Sequence, residues 1–213
     1  MQRISLRFIS NVSIMASVTQ LSQLDLTRRY TYADYLTWQL TDWVELIRGK
    51  VRLMSPAPKR AHQDISRNIS TPIASYLRGK QCRTYIAPFD VRLSRATPNG
   101  DASIETVVQP DICVICDPQK LDERGCLGAP DWIIEILSPG NVSRDTKEKF
   151  DLYEEVGVQE YWMVTPEQKN VVVYLLDEAG SYQLRGEFYT PGLIPVATLP
   201  ELQIEWTEVF EGV

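Results

Sequence analysis

The stretch Trp132-Ile-Ile-Glu-Ile-Leu137 constrains this chain more than any other, because it reads as an apolar strand with a carboxylate set inside it. Ser138-Pro-Gly-Asn141 then stops the strand. An ionised carboxylate buried without a partner costs several kcal/mol, so a native strand keeps one only when it is paired, hydrogen-bonded or bound to a cation. The same conflict recurs twice. Glu45 lies inside Trp43-Val-Glu-Leu-Ile47, and Asp111 heads Asp111-Ile-Cys-Val-Ile-Cys116. For any one of the three, a side chain on the solvated face of a half-buried strand is a sufficient reading. Three together favour a shared site.

The segment after Glu135 supplies a cation. Arg144 to Val156 reads as a helix closed by Gly157. Lys149 shares its face with Phe150 and Tyr153 and is expected to point inward, whereas Lys147 lies with Asp151 and Glu154 on the polar side. An Asp and a Glu from adjacent strands make a hard oxygen site suited to Mg2+ or Mn2+. A nearby ammonium can position water or stabilise charge on a phosphorane-like transition state. The chemistry these groups spell is phosphodiester hydrolysis.

Thr31-Tyr-Ala-Asp34 reads as a capping box opening a short helix to about Leu40. Trp43–Ile47 and Val51–Met54 flank Arg48-Gly49-Lys50 as a hairpin, which Ser55-Pro-Ala-Pro58 breaks. His62, Ile65, Ile69, Ile73, Tyr76 and Leu77 recur at helical spacing and predict a helix over 60–77, kinked by Pro72. Further strands are expected at 83–87, 89–93, 111–116, 132–137, 161–165, 171–176 and 181–187, with a mobile polar loop at 98–101. The expected architecture is mixed α+β around one sheet. Residues 25–213 form a single domain behind a disordered or dispensable leader, 1–24, which contains no acid.

The longest apolar runs, such as Val171–Leu176, fall far short of the roughly 20 residues a membrane-spanning helix needs. The chain is expected to be soluble. One histidine, His62, excludes histidine-rich zinc sites and admits a Ser-His-Asp machine only if it is the base. Four cysteines at 82, 113, 116 and 126 are too few and irregular for a secreted disulfide scaffold. With no signal peptide evident, a reducing cytoplasm is the expected compartment. Cys113 and Cys116 spell C-x-x-C, but a strand sends residues i and i+3 to opposite faces, which predicts buried structural thiols rather than a metal or redox pair.

The net charge of -6 conceals an asymmetry. Residues 46–100 carry 11 basic side chains against Asp64 and Asp90, while residues 101–213 carry 7 basic against 22 acidic. A middle segment this basic can present a positive face to nucleic acid, with Lys59, Arg60 and Arg67 as candidate phosphate contacts. The alternative, a solvated surface paired with the acidic half of the same fold, stays open.

Val107-Val-Gln-Pro-Asp111, Pro130-Asp-Trp-Ile-Ile-Glu-Ile-Leu-Ser-Pro139, Asp145-Thr-Lys-Glu-Lys149 with Tyr153, and Gly157-Val-Gln-Glu-Tyr-Trp162 resemble the Uma-type restriction endonuclease family, once catalogued as a domain of unknown function. Glu45-Leu-Ile-Arg-Gly-Lys-Val51, Ser55-Pro56 and His62 extend the similarity over about residues 27–180. The resemblance implies the PD-(D/E)xK nuclease superfamily: a restriction-endonuclease-like mixed sheet flanked by helices, with catalytic Asp, Glu and Lys around a divalent metal. It makes Asp111 the motif aspartate and Glu135 the motif acid. Leu137 stands where the usual pattern has lysine; that lysine is implied to have moved onto the following helix as Lys149. Glu45 resembles the acid this superfamily often draws from an earlier element.

The resulting expectation is an Mg2+- or Mn2+-dependent DNA endonuclease. Asp111, Glu135 and Glu45 are the metal ligands, Lys149 stabilises charge, and His62 and Tyr153 stand at the site edge. His62 as a buried structural histidine remains the alternative for that residue. A homodimer is expected, since superfamily enzymes that cut both strands are usually paired. The competing readings are a non-catalytic nucleic-acid or protein-binding module that retains the fold, and an enzyme of small phosphoesters.

Overall fold

The structure, a computed structural model, describes residues 17–54, 59–94, 100–138 and 144–213 of the 213-residue chain. The expected breaks at 55–58 and 139–141, and residues 98–99 of the loop expected to be mobile, lie outside the described residues.

A short helix α1 (Tyr32–Tyr35) precedes the hairpin of β1 (Val44–Ile47) and β2 (Lys50–Leu53), and the long helix α2 (Arg60–Leu77) follows. Next come β3 (Arg83–Ile86), β4 (Val91–Arg92), β5 (Val107–Val108) and β6 (Ile112–Ile115). Then β7 (Leu121–Asp122), β8 (Gly125–Leu127) and β9 (Trp132–Ile136) lead to α3 (Arg144–Val156). The chain continues through β10 (Glu160–Thr165), β11 (Asn170–Leu176), β12 (Tyr182–Phe188), β13 (Leu193–Pro195), β14 (Gln203–Glu205) and α4 (Trp206–Val209).

The expectation of mixed α+β holds, but not around one sheet. One sheet has the order β12-β11-β10-β9-β6-β3, a second has β2-β1-β5-β4-β8-β7, and β13 pairs with β14 alone. The second sheet is only half legible in sequence: its hairpin and the run 89–93 that holds β4 are expected, whereas β5, β7 and β8 are two or three residues each, too short to carry a period. In the first sheet β9 and β10 run parallel, whereas β6 pairs antiparallel with both β9 and β3.

Strand alternation divides the first sheet between the two long helices. Trp132, Ile134 and Ile136 pack with Ile65, Ile69 and Ile73 of α2, which continues through Pro72. Ile133 packs on the other side with Leu152 and Tyr153 of α3. Glu135, two residues beyond Ile133, therefore faces α3.

Three expectations need correction. The capping box at Thr31 and Asp34 forms with both reciprocal hydrogen bonds, yet α1 ends at Tyr35, and by Gln39 the backbone N–H donates instead to the carbonyl of Val18 at 2.7 Å. The leader expected over 1–24 is packed in its last part: Leu24 is buried with Tyr30, Tyr32 and Leu46, and Val18 and Leu21 lie against them. Cys116, expected as a thiol, is disulfide-bonded to Cys82. Arg83 pairs with Ile115 across β3 and β6, so one further register step sets Cys82 opposite Cys116. Cys113 and Cys126 are buried free thiols, and Cys113 and Cys116 do face opposite sides. Among the described residues no helix is long and apolar enough to cross a membrane.

Candidate active site

The register of β6 against β9 brings two acids together. Ile112 pairs with Ile134 and Cys113 with Ile133, so the next step places Asp111 across from Glu135. Both line a cavity of about 500 Å3 that Glu45, His62 and Lys149 also line. The hairpin brings Glu45 from the second sheet, α2 brings His62 and α3 brings Lys149.

Lys149 joins two of the three acids. Its Nζ is 2.9 Å from Glu135 Oε1 and 3.0 Å from Glu45 Oε1. One helical turn on, the Tyr153 hydroxyl donates to the same Glu135 Oε1 at 2.7 Å. Glu45 Oε1 also accepts the backbone N–H of Gln109 at 2.9 Å. Asp111 is held separately: Oδ2 accepts the Ile136 backbone N–H at 2.7 Å, and Oδ1 is 3.1 Å from His62 Nε2. The other ring nitrogen of His62, Nδ1, is buried without a hydrogen-bond partner.

Burial sets the charges. It pushes the Glu135 carboxyl up to about 7; Lys149 opposes that rise, while Asp111 and Glu45 add to it. Burial pulls Lys149 down, but Glu135 and Glu45 outweigh it and hold the ammonium well above its ordinary value. Burial likewise pulls His62 down, and the hydrogen bond and charge of Asp111 more than offset it, leaving a net rise. Burial raises the Tyr153 hydroxyl, which stays protonated as a donor.

All five expected residues of the constellation, Asp111, Glu135, Glu45, Lys149 and His62, thus border one cavity, with Tyr153 hydrogen-bonded to it from behind. Among the described residues no group of three His, Cys, Asp or Glu side chains is arranged to hold a metal ion. Glu45 turns Oε1 to Lys149 and Gln109 instead. Lys149 and Tyr153 both meet Glu135 at Oε1.

The expected phosphate contacts do not border the cavity. Arg60 and Arg67 flank Asp64 at 2.8 and 3.3 Å, Arg60 also donates to the carbonyl of Gly212, and Lys59 is exposed before the first turn of α2. Three further arginines of the basic segment are paired intramolecularly. Arg48 pairs with Glu155, Arg52 with Glu148, and buried Arg92 with Asp122 at 2.6 Å. For these residues, pairing with the acidic half of the fold is what the structure shows.

Sequence reading missed Arg52, Glu148 and Gln109. Arg52 lies across from Glu45 in the hairpin and grips Glu148 through Nε at 2.9 Å and a terminal nitrogen at 2.6 Å, at the cavity wall. Hairpin register, which sets Arg52 across from Glu45, is the signal that could have found it. Gln109 acts on Glu45 through its backbone, which no sequence pattern announces.

Residues 32–207 match the family Uma2, described as putative restriction endonuclease. The uncharacterized protein slr1290 of Synechocystis sp. (strain ATCC 27184 / PCC 6803 / Kazusa) is 24% identical over 152 residues, covering 70% of this chain and 75% of that protein. A crystal structure described as a putative nuclease belonging to DUF820, from Anabaena variabilis ATCC 29413, is similar with a TM-score of 0.67 and 25% identity. The match covers 85% of this chain and 98% of that one.

Proposed function

This chain belongs to the Uma2 restriction endonuclease family, and on that premise we propose that it is a divalent-metal-dependent endonuclease that hydrolyses phosphodiester bonds in DNA. The observation carrying the proposal is Lys149, an ammonium held 2.9 Å and 3.0 Å from two buried carboxylates inside the cavity that Asp111 also borders.

Asp111 and Glu135 fit Mg2+ or Mn2+ by their donor chemistry. Each offers hard carboxylate oxygens, and Mg2+ is ordinarily held by one or two carboxylates plus waters and substrate phosphate oxygens, so a third protein ligand is not required. Glu135 ionises reluctantly in its buried place, and a cation bound beside it would favour the charged form. When bound, the ion supplies Lewis-acid stabilisation of the phosphoryl oxygens and a more acidic water.

The remaining steps belong to the chain's own side chains. Lys149 faces the charge that develops on the phosphoryl group, as a preorganised cation itself largely withdrawn from water. Glu45 positions Lys149 by holding it from the hairpin side, and Gln109 holds Glu45 through its backbone N–H. His62 and the Ile136 backbone N–H fix the Asp111 carboxylate from opposite oxygens. Tyr153 fixes Glu135 through Oε1. Lys59, Arg60 and Arg67 extend from α2 outside the cavity, where they would meet flanking phosphates.

Supercoiled plasmid and single-stranded DNA incubated with Mg2+ or Mn2+ test the assignment. Wild type is expected to cut, and Asp111→Ala and Glu135→Gln are expected not to. Wild type that leaves both substrates intact with either metal, or Asp111→Ala that cuts as fast as wild type, overturns it.

A further inference from the structure

The cavity joins buried charged side chains to exposed apolar ones. Trp43 is 57% exposed, Leu53 56% and Ile86 48%, and all three line the same cavity as Glu45, Asp111 and Lys149. Trp43 is the only exposed tryptophan of the five in the chain. Large apolar side chains gathered at the mouth of a polar pocket mark a surface that a ligand covers.

The backbone gives this rim a fixed place. Trp43 stands two residues before Glu45, so strand alternation turns both side chains to one face, about 7 Å apart along the chain. The Trp43 carbonyl accepts the Met54 N–H at 2.9 Å, which anchors the indole at the open end of the β1–β2 hairpin.

A nucleotide has the matching form, with an anionic phosphate for the charged side chains and a flat apolar base for the rim. A duplex does not. Its bases are stacked inward, so it would bring phosphates against Trp43, Leu53 and Ile86, and its adhesion depends on Lys and Arg reaching the backbone. Here Arg52, the arginine at the cavity wall, is held bidentate by Glu148. The cavity, at about 500 Å3, is of the size that encloses one small ligand, roughly 300–1,000 Å3.

We infer that Trp43 is a stacking platform for an unpaired base, so that the strand entering the cavity is single-stranded or locally melted. The inference rests on the nuclease reading of the same site. Base stacking on an aromatic side chain tolerates every sequence, because every base has a π-face.

Binding titrations of the full chain, with Ca2+ in place of Mg2+ to suppress cutting, test it. The probes are a short single-stranded oligodeoxynucleotide, the oligoribonucleotide of the same sequence, and the DNA duplex. Wild type is expected to prefer a single strand over the duplex, and the tighter of the two single strands identifies the sugar. Trp43→Ala is expected to weaken that binding by roughly five- to 150-fold with duplex binding unchanged, while Trp43→Phe keeps most of it. Equal melting temperatures of the three proteins establish that folding is not the cause.

Wild-type preference for duplex, or single-strand binding by Trp43→Ala equal to wild type, overturns the stacking platform. If Asp111-dependent plasmid cutting persists in that case, the nuclease reading stands without it. Wild type that neither binds nor cuts any of these nucleic acids overturns both.

Discussion

Asp111 stands across from Glu135, one register step beyond the pair Ile112 and Ile134, yet the two carboxylates are gripped from different sides. The backbone of Ile136 and His62 hold the first; Lys149 and Tyr153 hold the second. Of these two, Glu135 is the one with Lys149 at contact distance, so a divalent cation entering between them relieves a repulsion that Lys149 offsets on one side. Mg2+ or Mn2+ is therefore expected to raise the melting temperature of wild type more than that of Glu135→Gln. At a concentration one hundred times Kd the gain in wild type is about 2.7 kcal/mol. Equal shifts in the two proteins, followed by differential scanning calorimetry, count against a metal at this pair.

The acidity of Glu135 sets a pH dependence whose sign is fixed. Its carboxyl is raised by burial to about 7 from an ordinary 4.5, so the folded chain binds that proton more tightly than the unfolded chain does. The stability this contributes is fully present below about 4.5 and is lost as pH rises through about 7. Metal competes for the same site, and its affinity runs the other way. Mn2+ binding should strengthen by up to about tenfold per pH unit below 7 and level off above it. Titration calorimetry a unit either side of 7 decides, and a flat profile shows that Glu135 is not a ligand.

Removing Lys149 leaves two carboxylates buried without their cation. Breaking a buried ion pair from one side costs roughly 3–5 kcal/mol, so Lys149→Met should lose stability on that scale in urea unfolding. Added Mg2+ should recover part of the loss, because a second cation can replace the missing charge. A loss below about 1 kcal/mol is incompatible with the burial of this pair.

A fourth acid supplies the control. Glu160 is fully buried in β10, and its oxygens accept from the Trp162 indole at 2.8 Å and from the backbone N–H groups of Ala197 and Thr198 at 3.1 and 2.7 Å. It pins a distant loop to the sheet and borders no part of the cavity. Glu160→Gln turns an amide N–H toward these donors and should cost roughly 1–3 kcal/mol of stability. Its Mn2+ affinity should match wild type, whereas Glu135→Gln should lose affinity.

The contrast between Glu135 and Glu160 shows where sequence reading reaches. Glu135 interrupts a long apolar run and is followed by a helix with clean 3.6-residue spacing and a glycine stop, so its face and its cation were both legible. The structure places α3 at the expected Arg144–Val156. Glu160 opens its strand after a turn and depends on Ala197 and Thr198, 37 and 38 residues away. Arg52–Glu148 and Cys82–Cys116 escape for the same reason, since each follows from how strands and helices are set against one another. Local periodicity reports a side chain's face, and only tertiary register reports its partner.

The basic end of α2 makes the last case. Arg60 and Arg67 share one carboxylate, Asp64, so together with Lys59 they keep two positive charges in excess on the exposed side of the helix. If that excess meets phosphates, each contact releases condensed counterions, and the logarithm of affinity falls with the logarithm of salt by about 0.9 per contact on duplex DNA. Reversing Lys59 and Arg60 to Glu should then weaken binding about equally for unrelated sequences and flatten the salt slope by roughly one to two. Stability should change little, because exposed pairs contribute only about 0–1 kcal/mol. The loss should also be independent of Trp43, since stacking carries no counterion release and adds to phosphate contacts rather than replacing them. Salt titrations of wild type, Trp43→Ala and the reversed protein separate the two effects. An unchanged slope in the reversed protein returns Lys59, Arg60 and Arg67 to a solvated face and leaves the cavity as the whole of the nucleic-acid site.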